Sequence, residues 1–248
     1  MQESEDSLPP KSKMSGEGEL PGPPVENPDI ELEPWQREVV GMHRAILLVH
    51  KKASIESIGF NGDDVLAIHR YVLNDPFNPH FSGKLREVVV KIGSTVRGEY
   101  REANFIPVHP KDLPGLFAEF SQQLQEKTAA INGSSPISEV LEVASWLHLR
   151  LIRLHPFKDG NGRTARLLCD YVFKKAGFPY LTDWGAKDDE YKDVVDRTFK
   201  EDDENLFKKF LAEKLIYRTL EVFSMDETLR NPMTSIKNEA EDYLEVLA

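Results

Sequence analysis

The segment PISEVLEVASWLHLRLIRL, from Pro136 to Leu154, narrows the possible folds more than any other stretch of the chain. Val140, Leu141, Val143, Ala144, Leu147, Leu151 and Ile152 recur at helical spacing and fall on most sides of the wheel. A helix with apolar residues nearly all round has no face to give to water, so it belongs in the centre of a domain. Ser135 offers an N-cap, and Pro136 suits a first turn, where its missing N–H costs nothing. The same helix does not read as a membrane span, because Arg150 and Arg153 interrupt its apolar run.

The remaining segments read as the shell around that helix. Periodicity starts near Trp35 and runs through VVGMHRAILLVH. A second helix opens at Gly62 and Asp63 and closes at Asn74, Asp75 and Pro76. His43 and His50 lie seven apart on the first helix and His69 falls on the second, whereas a metal pair sits one turn apart. They read as packed or surface histidines. REVVVKIGS, from Arg86 to Ser94, is rich in β-branched residues and reads as a short strand, followed by a turn at Gly98 and a second strand. LPGLFAEFSQQLQEK is helical, and Asn132, Gly133 and Ser134 break it. A further helix spans Thr164 to Ala176, with Gly177 at an αL stop and Pro179 beyond it. From Asp188 to Phe223 the pattern is that of amphipathic surface helices. The fold expected is mainly α, one helical domain over residues 34–223 with a small β-hairpin. Residues 1–33, rich in Pro, Ser, Gly and Glu, are expected to form a disordered tail, and 224–248 a C-terminal tail with helical character.

Composition excludes some classes of function. With 31 basic and 42 acidic side chains the formal charge is −11, which disfavours a sequence-independent grip on nucleic acid or an anionic membrane. The lone Cys169 excludes an intrachain disulfide and any cysteine-cluster metal site, and in LLCDYVF it reads as a buried structural thiol. An acidic, proline-rich N-terminus is the opposite of a signal peptide, so the expected compartment is cytoplasmic.

The chemistry concentrates in HPFKDGNGRTAR, His155 to Arg166, directly after the central helix. Gly160 and Gly162 flank Asn161 just ahead of a helix start. Glycines let backbone N–H groups turn inward, and the helix start adds unpaired donors and the positive end of a dipole. That makes an anion cradle. Arg163 and Arg166, three apart, project from neighbouring positions, and two guanidinium groups beside such a cradle suit a polyphosphate. Asp159 would repel phosphate unless a cation lies between them, which implies Mg²⁺. His155 is the group whose ordinary pKa lets it accept a proton near neutrality. Any one of these features is common in surface loops. Their joint occurrence within twelve residues is not.

The loop resembles the signature of the Fic family, H-x-F-x-[D/E]-G-N-G-R-x-x-R, and fills every specified position. GKLREVVVKIG and the hairpin after it are similar to the strand and flap ahead of the core in that family. The resemblance implies a helical core with a hairpin flap, and protein adenylyltransferase activity, with AMP passing from ATP to a Ser, Thr or Tyr hydroxyl. It implies His155 as general base, Asp159 as the Mg²⁺ ligand, Gly160, Asn161 and Gly162 as the phosphate cradle, Arg163 as a phosphate ligand and Arg166 as the γ-phosphate ligand. It also places the target protein on the flap, Ser94 to Phe105, as an added strand, and adenine against later helices, with Tyr191 as a lining candidate or an ordinary packed tyrosine. A phosphorylating variant carries Ala and Lys where this chain has Gly160 and Gly162, which favours nucleotidyl transfer here. De-AMPylation, another nucleotide donor and a non-catalytic nucleotide-dependent interaction module are the alternatives. The family's inhibitory pattern, [S/T]-x-x-x-E-[G/N], has no full match, since Ser235 and Glu239 are followed by Ala240. A separate inhibitory protein is the expected partner if inhibition of this kind operates.

Overall fold

The centre of the molecule is the helix whose sequence has no polar face. In the computed structural model, which describes residues 32–55, 59–73, 80–96, 99–103, 105–181, 189–225 and 230–247, this is α4 (Ile137–Leu154). Val140, Leu141, Ala144, Leu147 and Leu151 are fully buried on it, and so are the polar Ser145 and His148. The helix starts with Pro136 as a cap that has no side-chain bond. Ser135, expected in that role, turns its hydroxyl back to accept from the Asn132 N–H at 3.1 Å.

Before it along the chain come α1 (Pro34–Ala53), α2 (Gly62–Val72) and α3 (Leu113–Ala130). After it follow α5 (Asn161–Lys175), α6 (Asp189–Glu201), α7 (Glu204–Met225) and α8 (Arg230–Val246). Helices α3, α5, α7 and α8 pack on α4, while α1 and α2 cover the far side of α5. The shared core holds Phe60, Ile68, Phe120, Leu124, Phe157, Tyr171, Phe173, Phe207 and Leu211, all fully buried. Each such side chain stabilises the fold by roughly 1.5–3 kcal/mol relative to leaving it in water. Cys169 lies inside, its thiol directed at the Ala144 carbonyl at 3.3 Å, and burial pushes its pKa well up.

Local chemistry explains where the helices begin and end. Asn61 caps α2 reciprocally with Asp64, each side chain taking the other's backbone N–H at 3.1 Å. At the end of α5, Gly177 is left-handed at φ 80°. Phe178 N–H then reaches the Phe173 carbonyl at 2.8 Å and Gly177 N–H the Lys174 carbonyl at 3.0 Å, which closes a Schellman motif. The C-terminal helix α8 sends Ile236, Ala240 and Tyr243 into the common core, and the Tyr243 hydroxyl donates to Glu142 at 2.9 Å. The 1–31 segment, the expected stop at Asn74 to Pro76 and the turn at Gly98 lie outside the described residues.

The hairpin differs from expectation in register. Strand β1 is Gly93–Val96 and β2 is Glu99–Glu102, antiparallel, with Gly93 opposite Glu102 and Val96 opposite Glu99. The β-branched run expected to be a strand from Arg86 pairs with nothing along most of its length, and Val88 and Val89 are exposed. Strand propensity expresses a fit to a paired, half-buried surface, and among the described residues no strand pairs with Arg86 to Lys91. Among the described residues, no helix is long and apolar enough to cross a membrane.

Candidate active site

The loop joining α4 to α5 is fixed from three sides. His155 caps α4 in the left-handed region, at φ 46° and ψ 58°, and its N–H still closes the last turn onto the Leu151 carbonyl at 2.9 Å. Pro156 follows, so the helix cannot continue, and a residue ahead of proline avoids the right-handed region. A non-glycine residue held there costs of order 1–3 kcal/mol, which the surrounding contacts must offset. Phe157 is fully buried and lies face to face with His69 of α2, ring centres 3.6 Å apart and 6° from parallel.

The bonding of His69 settles its tautomer. The Gly83 N–H donates to Nδ1 at 3.0 Å, so Nε2 carries the proton and donates to the Asp159 carbonyl at 2.9 Å. Burial, the largest cause, lowers its pKa from 6.5 to about 4 and keeps the ring neutral. Gly160 sits against the same ring at φ 77°, and a Cβ there would come within 3.3 Å of His69 and of Val72. Both the angle and the close approach call for glycine.

Asn161 completes the loop from within. Its side chain is buried, accepts the Phe157 N–H at 3.0 Å and donates to the Phe157 carbonyl at 2.9 Å. That side chain is spent on shaping the loop, so only its backbone faces a ligand. Helix α5 begins here, three residues before the expected start at Thr164, with Gly160 as its cap. The first intrahelical bond runs from Thr164 N–H to the Gly160 carbonyl at 2.9 Å. The N–H groups of Asn161, Gly162 and Arg163 therefore have no partner within the helix, an arrangement able to receive an anion.

The charged groups surround this site. Asp159 is largely exposed, with Oδ1 accepting the Gly160 N–H at 2.6 Å and Oδ2 lying 3.3 Å from Arg163. Arg163 is also paired with Glu38 of α1, an acid that nothing in the local sequence connects with the loop. Arg166 lies over the ring of Tyr191, 5.1 Å from its centre. Tyr191 is a packed residue: it is buried, and its hydroxyl is 3.0 Å from Nε2 of the fully buried His148. A Cβ on Gly162 would point at this group, 3.5 Å from Arg166 and 3.7 Å from the Tyr191 hydroxyl. Arg166 is thus backed by an aromatic layer, and Gly162 leaves open the space in front of it. Glu239 of α8 accepts from the Ser235 hydroxyl at 3.1 Å.

His155 is half-buried, and its Nδ1 has no hydrogen-bond partner among the described residues. Burial is the main cause lowering its pKa from 6.5 to about 4, opposed by the Ile152 backbone and then reinforced by the nearby Arg86 charge. The imidazole is a neutral proton acceptor. Arg86 and Glu38 are the neighbours to which the sequence alone does not point. The one signal for Arg86 is a cation beside an apolar run, and Glu38 carries none, because the pairing spans 125 residues.

A central helix ends on a histidine whose pKa burial lowers, and the next helix opens on amides without intrahelical partners beside two arginines; together they define a helical domain built around one loop. Residues 59–173 match the model of the Fic/DOC family. Protein adenylyltransferase Fic of Nematostella vectensis is 32% identical over 142 residues, 57% of this chain and 29% of that protein. Protein adenylyltransferase fic-1 of Caenorhabditis elegans is 33% identical over 144 residues, 57% of this chain and 25% of that protein. The chain thus spans about a quarter to a third of the length of these curated relatives. Among solved structures, a Fic domain containing signaling protein from Bacteroides thetaiotaomicron superposes with a TM-score of 0.60 at 19% identity, covering 83% of this chain and 72% of that one. A fragment of C. elegans Fic-1 gives 0.57 at 27% identity, covering 76% and 52%.

Proposed function

We propose that this protein transfers AMP from ATP to a hydroxyl side chain of a target protein and releases pyrophosphate. The observation that carries the reading is the loop from His155 to Arg163. It is pinned at Phe157 and Asn161 so that a proton acceptor stands at one end and unpaired amides at the other. In this reading, those amides and the Arg163 and Arg166 guanidinium groups hold the phosphate chain. His155 takes the proton of the target hydroxyl as its oxygen bonds to the α-phosphorus. The bond from that phosphorus to the bridging oxygen breaks on the opposite side, and pyrophosphate leaves.

The residues fit a magnesium ion brought in with the nucleotide, because Mg²⁺ binds through one or two carboxylates plus substrate phosphates, and Asp159 presents an exposed carboxylate beside the cradle. Bound there, the ion would neutralise charge developing on the phosphates. Among the described residues no cluster of three acids, histidines or cysteines offers a separate metal cage. Apolar side chains exposed on and around the hairpin, Val88, Val89, Tyr100 and Ile106, give a target strand something to cover in addition to backbone hydrogen bonds. Relatives named protein adenylyltransferase support the same reaction. The test is incubation with α-labelled ATP and magnesium. Label is expected in protein from wild type and at least about a hundredfold less of it from His155→Ala, and competition by CTP, GTP, UTP and CDP-choline would rank the donors. Release of labelled AMP without labelled protein, or no turnover at all, would sink the assignment.

Two further outcomes follow from the charges. With His155 neutral down to about pH 4, kcat/KM for the free enzyme should lack an acid limb near 6.5 and fall only below roughly pH 5. A stability effect accompanies it, since between 6.5 and 4 the unfolded chain binds protons that folded His155 and His69 refuse. Their contribution is complete above 6.5 and is lost as the pH falls through that window, which urea titrations at pH 7 and pH 5 would show.

Glu38 competes with phosphate for Arg163. The pair is solvent-facing, and such pairs contribute about 0–1 kcal/mol. Glu38→Gln is therefore expected to tighten magnesium–ATP binding, by about fivefold at most. A gain of a hundredfold in a nucleotide titration would mean that this acid does far more than an exposed ion pair can.

A further inference from the structure

We infer that Arg86 is a positioning residue that ties both roots of the hairpin to the backbone of the catalytic histidine, so that a docked target strand and the base sit in one frame. The inference rests on the reading of His155 as the base and the hairpin as the target's seat.

Arg86 is 4% exposed, and among the described residues its side chain meets no carboxylate. Its guanidinium instead donates to three backbone carbonyls on three segments. Nε reaches His155 at 2.7 Å, Nη1 reaches Val88 at 2.9 Å, and Nη2 reaches Val108 at 2.5 Å. Its own N–H donates to the Pro156 carbonyl at 2.9 Å. Val88 lies on the chain entering β1 and Val108 on the chain leaving β2. Above them the two roots are joined by the Ala103 N–H to Ile92 carbonyl bond at 2.9 Å, and on the outer side Phe105 packs on Phe199, ring centres 4.5 Å apart. Only a planar, five-donor group reaches three diverging carbonyls at once; an ammonium is a point charge on a flexible stem. A buried cation satisfied by carbonyls alone is costly, because its desolvation is not repaid by an opposite charge. A less costly residue would serve if these three strands of chain needed only packing. The geometry also accounts for how His155 is kept at positive φ, since the carbonyl that follows that strained Cα is the one Arg86 grips.

The experiment compares the full-length wild-type chain with Arg86→Lys, which keeps the charge but not the fork, and with Arg86→Met, which keeps neither. Amide exchange is followed by mass spectrometry in peptides covering 87–109, 152–158, 137–150 and 164–175. In Arg86→Lys the first two should exchange faster together, by about tenfold, while the two core peptides stay at wild-type rates. Affinity for magnesium and a fluorescent ATP analogue should stay within about twofold, and transfer of label to protein should fall at least about tenfold. A protein that is merely less stable would instead speed up all four peptides.

Should the variants fail to fold, the wild type alone decides. Under mild denaturant, peptides 87–109 and 152–158 should open with one free energy and one denaturant slope. Separate openings, or a folded Arg86→Lys in which only one segment changes, would overturn the tie. If the wild type transfers no label but the two segments still open together, the functional reading fails and the tie stands. If label is transferred while the two segments open apart, the tie fails and the functional reading stands.

Discussion

Replacing His155 by Ala is expected to reduce transfer by about 10²–10⁴-fold while leaving nucleotide affinity unchanged. The imidazole is neutral because burial holds its pKa near 4, so it adds no charge that phosphate would feel. The contacts proposed for phosphate belong to α5, at the amides of Asn161 to Arg163 and at the Arg163 and Arg166 side chains, and none of them depends on the ring. In the proposed reaction the ring would supply a place for the hydroxyl proton as the new bond forms, equivalent to about 3–5 kcal/mol of barrier. The fold should tolerate the change, since His155 is held through its backbone, by Leu151 on the helix side and by Arg86 on the carbonyl side. Single-turnover transfer and a nucleotide titration on the same preparation check both halves. Undiminished transfer would remove His155 from the mechanism, and a large loss of affinity would mean that the ring touches the nucleotide.

Phe157→Ala should produce the largest loss of stability of any change in the loop. The ring is fully buried and stacked on His69 at 3.6 Å, with the backbone on either side of it clamped by Asn161. Truncating a buried Phe costs about 3–5 kcal/mol, from lost transfer energy and the cavity left behind. That is a large share of the roughly 5–15 kcal/mol by which a domain is stable. A drop in melting temperature of roughly 6–20 °C follows for a chain of this size. Nucleotide affinity should fall as well, measured where the variant is still folded. His69 loses its stacking partner, and with it the orientation from which it holds Asp159 and abuts Gly160. An unchanged midpoint in a urea or thermal melt would contradict the packing account.

These expectations draw unequally on the sequence and on the structure. The central position of α4 is legible because apolar residues all round a helix leave no alternative. The loop proposed to hold phosphate is legible because its glycines and arginines stand at fixed spacing within a few residues of one another. The strand expected from Arg86 is displaced to Gly93–Val96, since strand formation depends on a partner whose register a single segment does not encode. The local pattern puts the start of α5 three residues late for a related reason. Asn161 to Arg163 look like loop by propensity, and what sets the helix start there is Asn161 bonded across the loop and Gly160, its left-handed cap, packed on His69.

By itself the sequence determined the helical class, the buried central helix and the loop that carries His155, Asp159, the two glycines and the two arginines. All of these depend on residues within a few turns of one another. Only the tertiary structure decided that His69 supports the loop, that Arg86 joins it to the hairpin, that Glu38 sits on Arg163, that Tyr191 and His148 stand behind Arg166, and that α8 belongs to the core. Each of these brings together residues tens of positions apart, and such pairings are set by how helices pack, which no local pattern of residues records.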